Sequence, residues 1–128
     1  MFGSKGFANK HKATMKDKLL INFDCVSDGD HLLFVLKKGA IPHAAAIERA
    51  FPSDETYTVE VATKGVFYPS DQANFPCGVG VAALNKTKRG NLLYMNRIHT
   101  KRDTVYNEKN IEFFVQGAVR LVCEIDEA

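Results

Sequence analysis

Apolar and polar positions along the chain change period several times, and each change marks an element. The run "KLLINFD" is almost continuously apolar, the pattern of a strand covered on both faces, and it stops at Asp24. "HLLFVLKKG" predicts a second strand, and Ser27-Asp28-Gly29-Asp30 between the two has the chemistry of a hairpin turn. "YTVEVAT" alternates as a half-buried strand does, whereas "GVGVAALN" again reads as a buried one. Three stretches carry helical spacing instead. "SKGFANKHKATM" predicts a short basic helix with Ser4 as N-cap and Phe7 as its apolar contact. "PHAAAIERAF" is alanine-rich and places Pro42 at a helix start. "NEKNIEFFVQGAVRLVCEI" puts Ile111, Phe114, Val115, Ala118, Val119, Val122 and Ile125 on one stripe behind an Asn107 cap. In "YPSDQANF", Pro69 ends the preceding segment, Ser70 or Asp71 can cap a short helix, and Phe75 can anchor it. The alternation predicts an α/β fold: a layered, mixed, mostly parallel sheet with flanking helices, in one domain over residues 1–128.

Composition narrows the function classes. With 128 residues, 45% of them apolar, one domain can bury a real core. The formal charge of +2 balances 17 basic against 15 acidic residues, so the total implies neither a nucleic-acid nor a membrane partner. Basic residues do gather near the amino end (Lys5, Lys10, Lys12, Lys16, Lys18) and between positions 85 and 102. Runs of this kind read as a solvated face. Cys25, Cys77 and Cys123 are odd in number and far apart, which favours neither a disulfide framework nor a CxxC zinc site. A reducing, cytoplasmic compartment is the expectation. No apolar run approaches the ~20 residues of a membrane span, and the amino end lacks the apolar core of a signal peptide.

In open sheets, functional groups gather beyond the carboxyl ends of strands, and that draws attention to Asp24. Its ordinary role there would be to accept hydrogen bonds from loop amides. The neighbouring Asp28, Asp30 and His31 lack the spacing of a calcium loop and read as a turn. "RIHTKRDT" surrounds His99 with basic residues and places Asp103 four positions on. Alone, it is either a metal ligand with a supporting carboxylate or part of a solvated loop. Cys25 and Cys77 are flanked by apolar sequence and read as small buried residues, while Ser70 has no histidine nearby to activate it.

The order of these pieces says more than any one of them. "GSKGFANKH", "INFDCVSDG", "YPSDQANF" with "FPCGVGVAAL", "IHTKRDT" and the closing amphipathic helix resemble the carboxyl half of the zinc-dependent aminopeptidases of metallopeptidase family twenty-eight, a family that includes leucyl aminopeptidases and glutaminyl cyclases. The resemblance implies a zinc-peptidase, phosphorylase/hydrolase-like fold. It makes Asp24 a ligand of one zinc and His99 a ligand of the other. Paired zinc ions activate a bridging water, polarise the scissile carbonyl and hold the free amino group of the peptide. Asp103 then either orients His99 from behind or belongs to the cap of the last helix. Cys25, Phe67, Tyr68 and Ile98 become candidates for lining a substrate pocket, with core packing as the ordinary alternative for Cys25 and Ile98.

Departures from the family pattern shape the remaining expectations. Its Ser-Asp-His is here Ser70-Asp71-Gln72, and its assisting tyrosine falls at or near Phe67, leaving Tyr68 as a substitute. Its His-x-Asp motif, bridging aspartate and Glu-Glu pair have no counterpart in this sequence, so no catalytic residue is assigned. The chain is therefore expected to be the carboxyl-terminal portion of a longer peptidase domain, whose parent hydrolyses amino-terminal residues from peptide substrates with two zinc ions. Alone it is expected to be inactive, to bind zinc weakly at most, to bind neither nucleic acid nor membrane, and to form a homo-oligomer with "LLINF" or the final helix near the contact. Alternatives are a glutaminyl cyclase-like enzyme fragment and a non-catalytic peptide-binding or scaffold module.

Overall fold

Five strands build one sheet in the computed structural model, which describes residues 1–64, 70–94 and 97–127. In chain order they are β1 (Leu20–Phe23), β2 (His31–Leu36), β3 (Thr58–Ala62), β4 (Gly78–Lys86) and β5 (Leu92–Tyr94). The spatial order is β1-β4-β2-β3, with β5 also paired to β4. β1 runs parallel to β4 and β2 parallel to β3, whereas β2/β4 and β4/β5 are antiparallel. Helices α1 (Phe2–Lys10), α2 (Lys12–Met15), α3 (Ala44–Ala50) and α4 (Glu108–Glu127) flank it, so the α/β expectation holds.

The hairpin expected between β1 and β2 does not form, because β4 lies between them. The reason is burial. Gly78 through Leu84 are all buried in β4, so the centre of the sheet is where that strand covers the most apolar surface. The turn chemistry is still used: Gly29 has φ +127°, and a Cβ there would meet the Leu84 carbonyl oxygen at 2.5 Å. Only glycine lets the connection cross so close to β4.

On one face, alternate residues of β2 and β4 (Leu32, Phe34, Leu36; Val79, Val81, Ala83) pack under α3 and α4. Phe34, Phe51 and Phe114 form the aromatic centre, with ring centroids 4.8 Å apart for Phe34–Phe51 and 6.2 Å for Phe34–Phe114. Pro42 lies in a 3-10 turn (Lys38–His43) ahead of α3 and does not open that helix. Ser4 is likewise not the cap expected. α1 starts at Phe2, and the Ser4 hydroxyl donates to the Met1 carbonyl and to Asp71.

The stripe expected on α4 divides in two. Asn110, Phe114, Gly117 and Leu121 face the core, but Val115, Val119 and Val122 are 57%, 59% and 60% exposed. Gly117 sets this rotation. A Cβ on it would lie 2.1 Å from Phe51 Cε1, so the helix approaches the aromatic centre along its one side-chain-free position.

Candidate functional site

β1 ends by handing its last backbone bond to Asp24, whose N–H donates to the Val81 carbonyl at 3.0 Å. That bond holds Asp24 at the carboxyl end of β1, beside the middle of the parallel strand β4. Its carboxylate is engaged on both oxygens: Ser70 Oγ donates to Oδ2 at 3.0 Å and Cys25 Sγ to Oδ1 at 3.5 Å. Asn22, one pleat earlier on the same face, donates to Ser70 Oγ at 3.3 Å and to Gln72 Oε1 at 3.0 Å. Ser70 therefore orients Asp24 and does not cap the 3-10 turn Asp71–Asn74 that follows it.

Cys25 turns the chain with φ 56°, in the left-handed region that non-glycine residues seldom occupy. Burial, and then the charge of Asp24, push its thiol up to about 11, with a smaller contribution from Asp103. A thiol so disposed is protonated at neutral pH and no nucleophile.

The loop that follows is pinned from three sides. Asn110, buried at the start of α4, donates to the carbonyls of Val26 at 3.0 Å and Gly29 at 2.8 Å. Its Oδ1 accepts the Tyr57 hydroxyl at 2.7 Å, a phenol whose pKa burial raises. Asp28 pairs with Arg97 and accepts from Asn85 Nδ2 at 3.2 Å. The Asn107 N–H donates to the Ser27 carbonyl at 3.0 Å.

Between this loop and residues 97–103 lies a cavity of about 240 Å3, lined by Cys25, Ser27, Asp28, Ala83, Asn85, Arg97, Ile98 and Asp103. Ile98 and Asp103 thus come together with Cys25, which is more than 70 positions away in the sequence. Asp24 stands directly behind Cys25. His99 follows Ile98 on an exposed turn closed by the Thr100 N–H on the Arg97 carbonyl at 3.1 Å, and it too is left-handed, with φ 61°. Asn107 Oδ1 accepts the Lys109 N–H at 3.0 Å and so caps α4, while Asp103 faces the cavity. Phe67 and Tyr68 lie outside the described residues.

Among the described residues no three of His, Cys, Asp and Glu converge on a point that could hold a metal ion. A carboxylate and an imidazole are donor types zinc takes, but a zinc site needs three or four protein ligands. These residues do not by themselves hold the metal.

Residues 1–115 match the profile of Peptidase family M28. The chain belongs to that family. The matched span of this M28 chain covers the whole sheet, both walls of the cavity and the first turns of α4. No curated protein and no solved structure matches it. Family membership makes the M28 chain peptidase-like, in a class whose peptidases are generally metal-dependent. No helix among its described residues is long and apolar enough to cross a membrane.

Ser70, Asn85, Arg97 and Asn110 hold the site in place and were not singled out as such from sequence. Asn110 carried a signal: it sits one turn before Phe114 on the buried face of an amphipathic helix, where a polar residue must have partners. Ser70 carried none, because its partner Asp24 is 46 positions away.

Proposed function

We propose that this chain contributes Asp24 and His99 to the two-zinc site of an aminopeptidase that removes amino-terminal residues from peptides. The remaining ligands and the general base come from outside the described residues, and the chain alone neither closes a zinc site nor turns over substrate. One observation carries the reading. Cys25 and His99 are the non-glycine positions of positive φ among the described residues: Cys25 lines the cavity beside Asp24, and His99 directly follows Ile98, which lines the same cavity. Each such position costs on the order of 1–3 kcal/mol and persists where the surroundings impose it, as at ligand-holding sites. The hydrogen bond from Ser70 supports the same reading, since a carboxylate that binds a metal needs a partner to fix its orientation. Beside these residues, Cys25, Ala83 and Ile98 offer an apolar wall to a small substrate side chain. Free thiols at all three cysteines suit a reducing, cytoplasmic setting.

Titration calorimetry with zinc, paired with an aminoacyl-anilide assay, tests the proposal. Weak zinc binding that falls further in Asp24→Asn and in His99→Ala, without turnover, is the expected result. Stoichiometric submicromolar zinc with aminopeptidase turnover would overturn the need for outside ligands. Zinc binding unchanged in both variants would overturn the assignment of the two ligands.

A further inference from the structure

Gln72, Asn22 and Ser70 stand in series behind Asp24, and counting protons fixes the direction in which they act. Asn22 has two protons on Nδ2, and both are engaged, one by Ser70 Oγ at 3.3 Å and the other by Gln72 Oε1 at 3.0 Å. Ser70 has a single hydroxyl proton. Because Asn22 donates to its oxygen, that proton is left for Asp24 Oδ2 at 3.0 Å. If the Asn22 amide were turned over, its carbonyl oxygen would compete with Asp24 for the same proton and would stand acceptor against acceptor at Gln72 Oε1. Gln72 therefore sets the polarity of the series, from a position only 4% exposed. The fold seats it closely. Its carbonyl accepts the Phe75 N–H at 3.1 Å, and a Cβ on Gly78 would lie 2.3 Å from that carbonyl oxygen, so the 3-10 turn rests directly on the backbone of β4. On the other side of the turn, Asn74 Nδ2 donates to Ser4 Oγ at 2.8 Å, and Ser4 donates to Asp71 at 2.6 Å.

We propose that Gln72 and Asn22 are positioning residues for Asp24: together they keep the Ser70 proton on Oδ2 and leave Oδ1 as the oxygen through which Asp24 meets a metal ion. Among the described residues Oδ1 is engaged by the Cys25 thiol, a weak donor at 3.5 Å that a cation can displace. One oxygen orients the carboxylate and the other binds, so the metal approaches Asp24 from the Cys25 side. The inference rests on the reading of Asp24 as a metal ligand, and adds to it which oxygen serves and what holds the other.

Hydrogen-exchange NMR of the full chain without metal reads the series directly, since the two Nδ2 protons of Asn22 give separate signals and the amide bond turns slowly. Both should exchange about tenfold more slowly than those of an exposed asparagine. Gln72→Met keeps the shape and removes the acceptor, so it should free one of the two protons. Ser70→Ala should free the other, and Ser70→Thr should restore it. Titration calorimetry with zinc gives the second readout: Gln72→Met and Asn22→Leu should each weaken binding by about tenfold. Asn22 protons that exchange like exposed ones in the unmodified chain would overturn the inference. So would release of both protons by Gln72→Met, because the turn and not the amide series would then be what holds them. Full zinc affinity in Gln72→Met beside a loss in Asp24→Asn would overturn it while the ligand reading stands. No loss in Asp24→Asn would overturn the ligand reading, and this inference with it.

Discussion

The face of the sheet beneath α3 and α4 and the edge beyond β1 are built on opposite principles. The first is a dry aromatic centre in which Phe34, Phe51 and Phe114 hold one another by contact area. The second contains little area and much polar geometry: Asn22, Ser70 and Asp24 in series, Asn110 on two loop carbonyls, and two left-handed residues. Area burial is non-directional, so the first region tolerates small shifts. Hydrogen bonds are directional and strained backbone is costly, so the second is meaningful only if position matters there more than stability. The difference separates what keeps the chain folded from what the fold is for.

The largest expected effect comes from the aromatic centre. Phe114→Ala should cost about 3–5 kcal/mol in urea unfolding, because it empties a buried, ring-packed position. In the fraction still folded, Cys25 should keep its raised pKa; if it does not, the two regions are not separable. Next is the joint between them. Asn110→Ala leaves the Tyr57 hydroxyl and the Val26 and Gly29 carbonyls without their partner and should cost about 3 kcal/mol. It should also open the loop, read as faster alkylation of Cys25.

Cys25 itself offers a chemical readout of the edge. With a pKa raised from 9.0 to about 11, its thiolate at pH 8 is about 100-fold scarcer than that of an ordinary thiol, and alkylation should be slower to match. Because the folded-state pKa is the higher one, protonation favours the fold. The contribution to stability is complete below pH 9.0 and is lost as the pH rises through about 11. Alkylation at the ordinary rate would break the account of a half-buried thiol held against a carboxylate. The smallest effect has the opposite sign. His99→Gly should stabilise the chain by about 1 kcal/mol, since glycine adopts φ 61° without penalty, while removing whatever zinc affinity His99 supplies. A loss of stability would mean that the imidazole packs where the backbone only was thought to matter.

Particular residues show how far the sequence could be read. The strand ends, the capping of α4 by Asn107 and the family order of motifs were legible because each depends on neighbours within a turn or two. The partition of α4 was not. Seven apolar positions fit one stripe, and only the approach of Phe51 to Gly117 decides which of them the sheet covers. The hairpin failed for a similar reason: a turn signal states that the chain reverses, not which strand it will lie beside.

By itself, then, the amino-acid order determined most of the element types, though not β5 or the 3-10 turn at Pro42, together with the α/β class and the membership in a peptidase family, all properties carried by local period and short motifs. Tertiary structure alone decided that β4 separates β1 from β2, that Ser70 serves Asp24, and that residues 25 and 98 share one cavity. Local pattern constrains each residue through the few that precede and follow it. Which distant segments meet is settled by the competition of all of them for the same buried surface, and that competition has no local record.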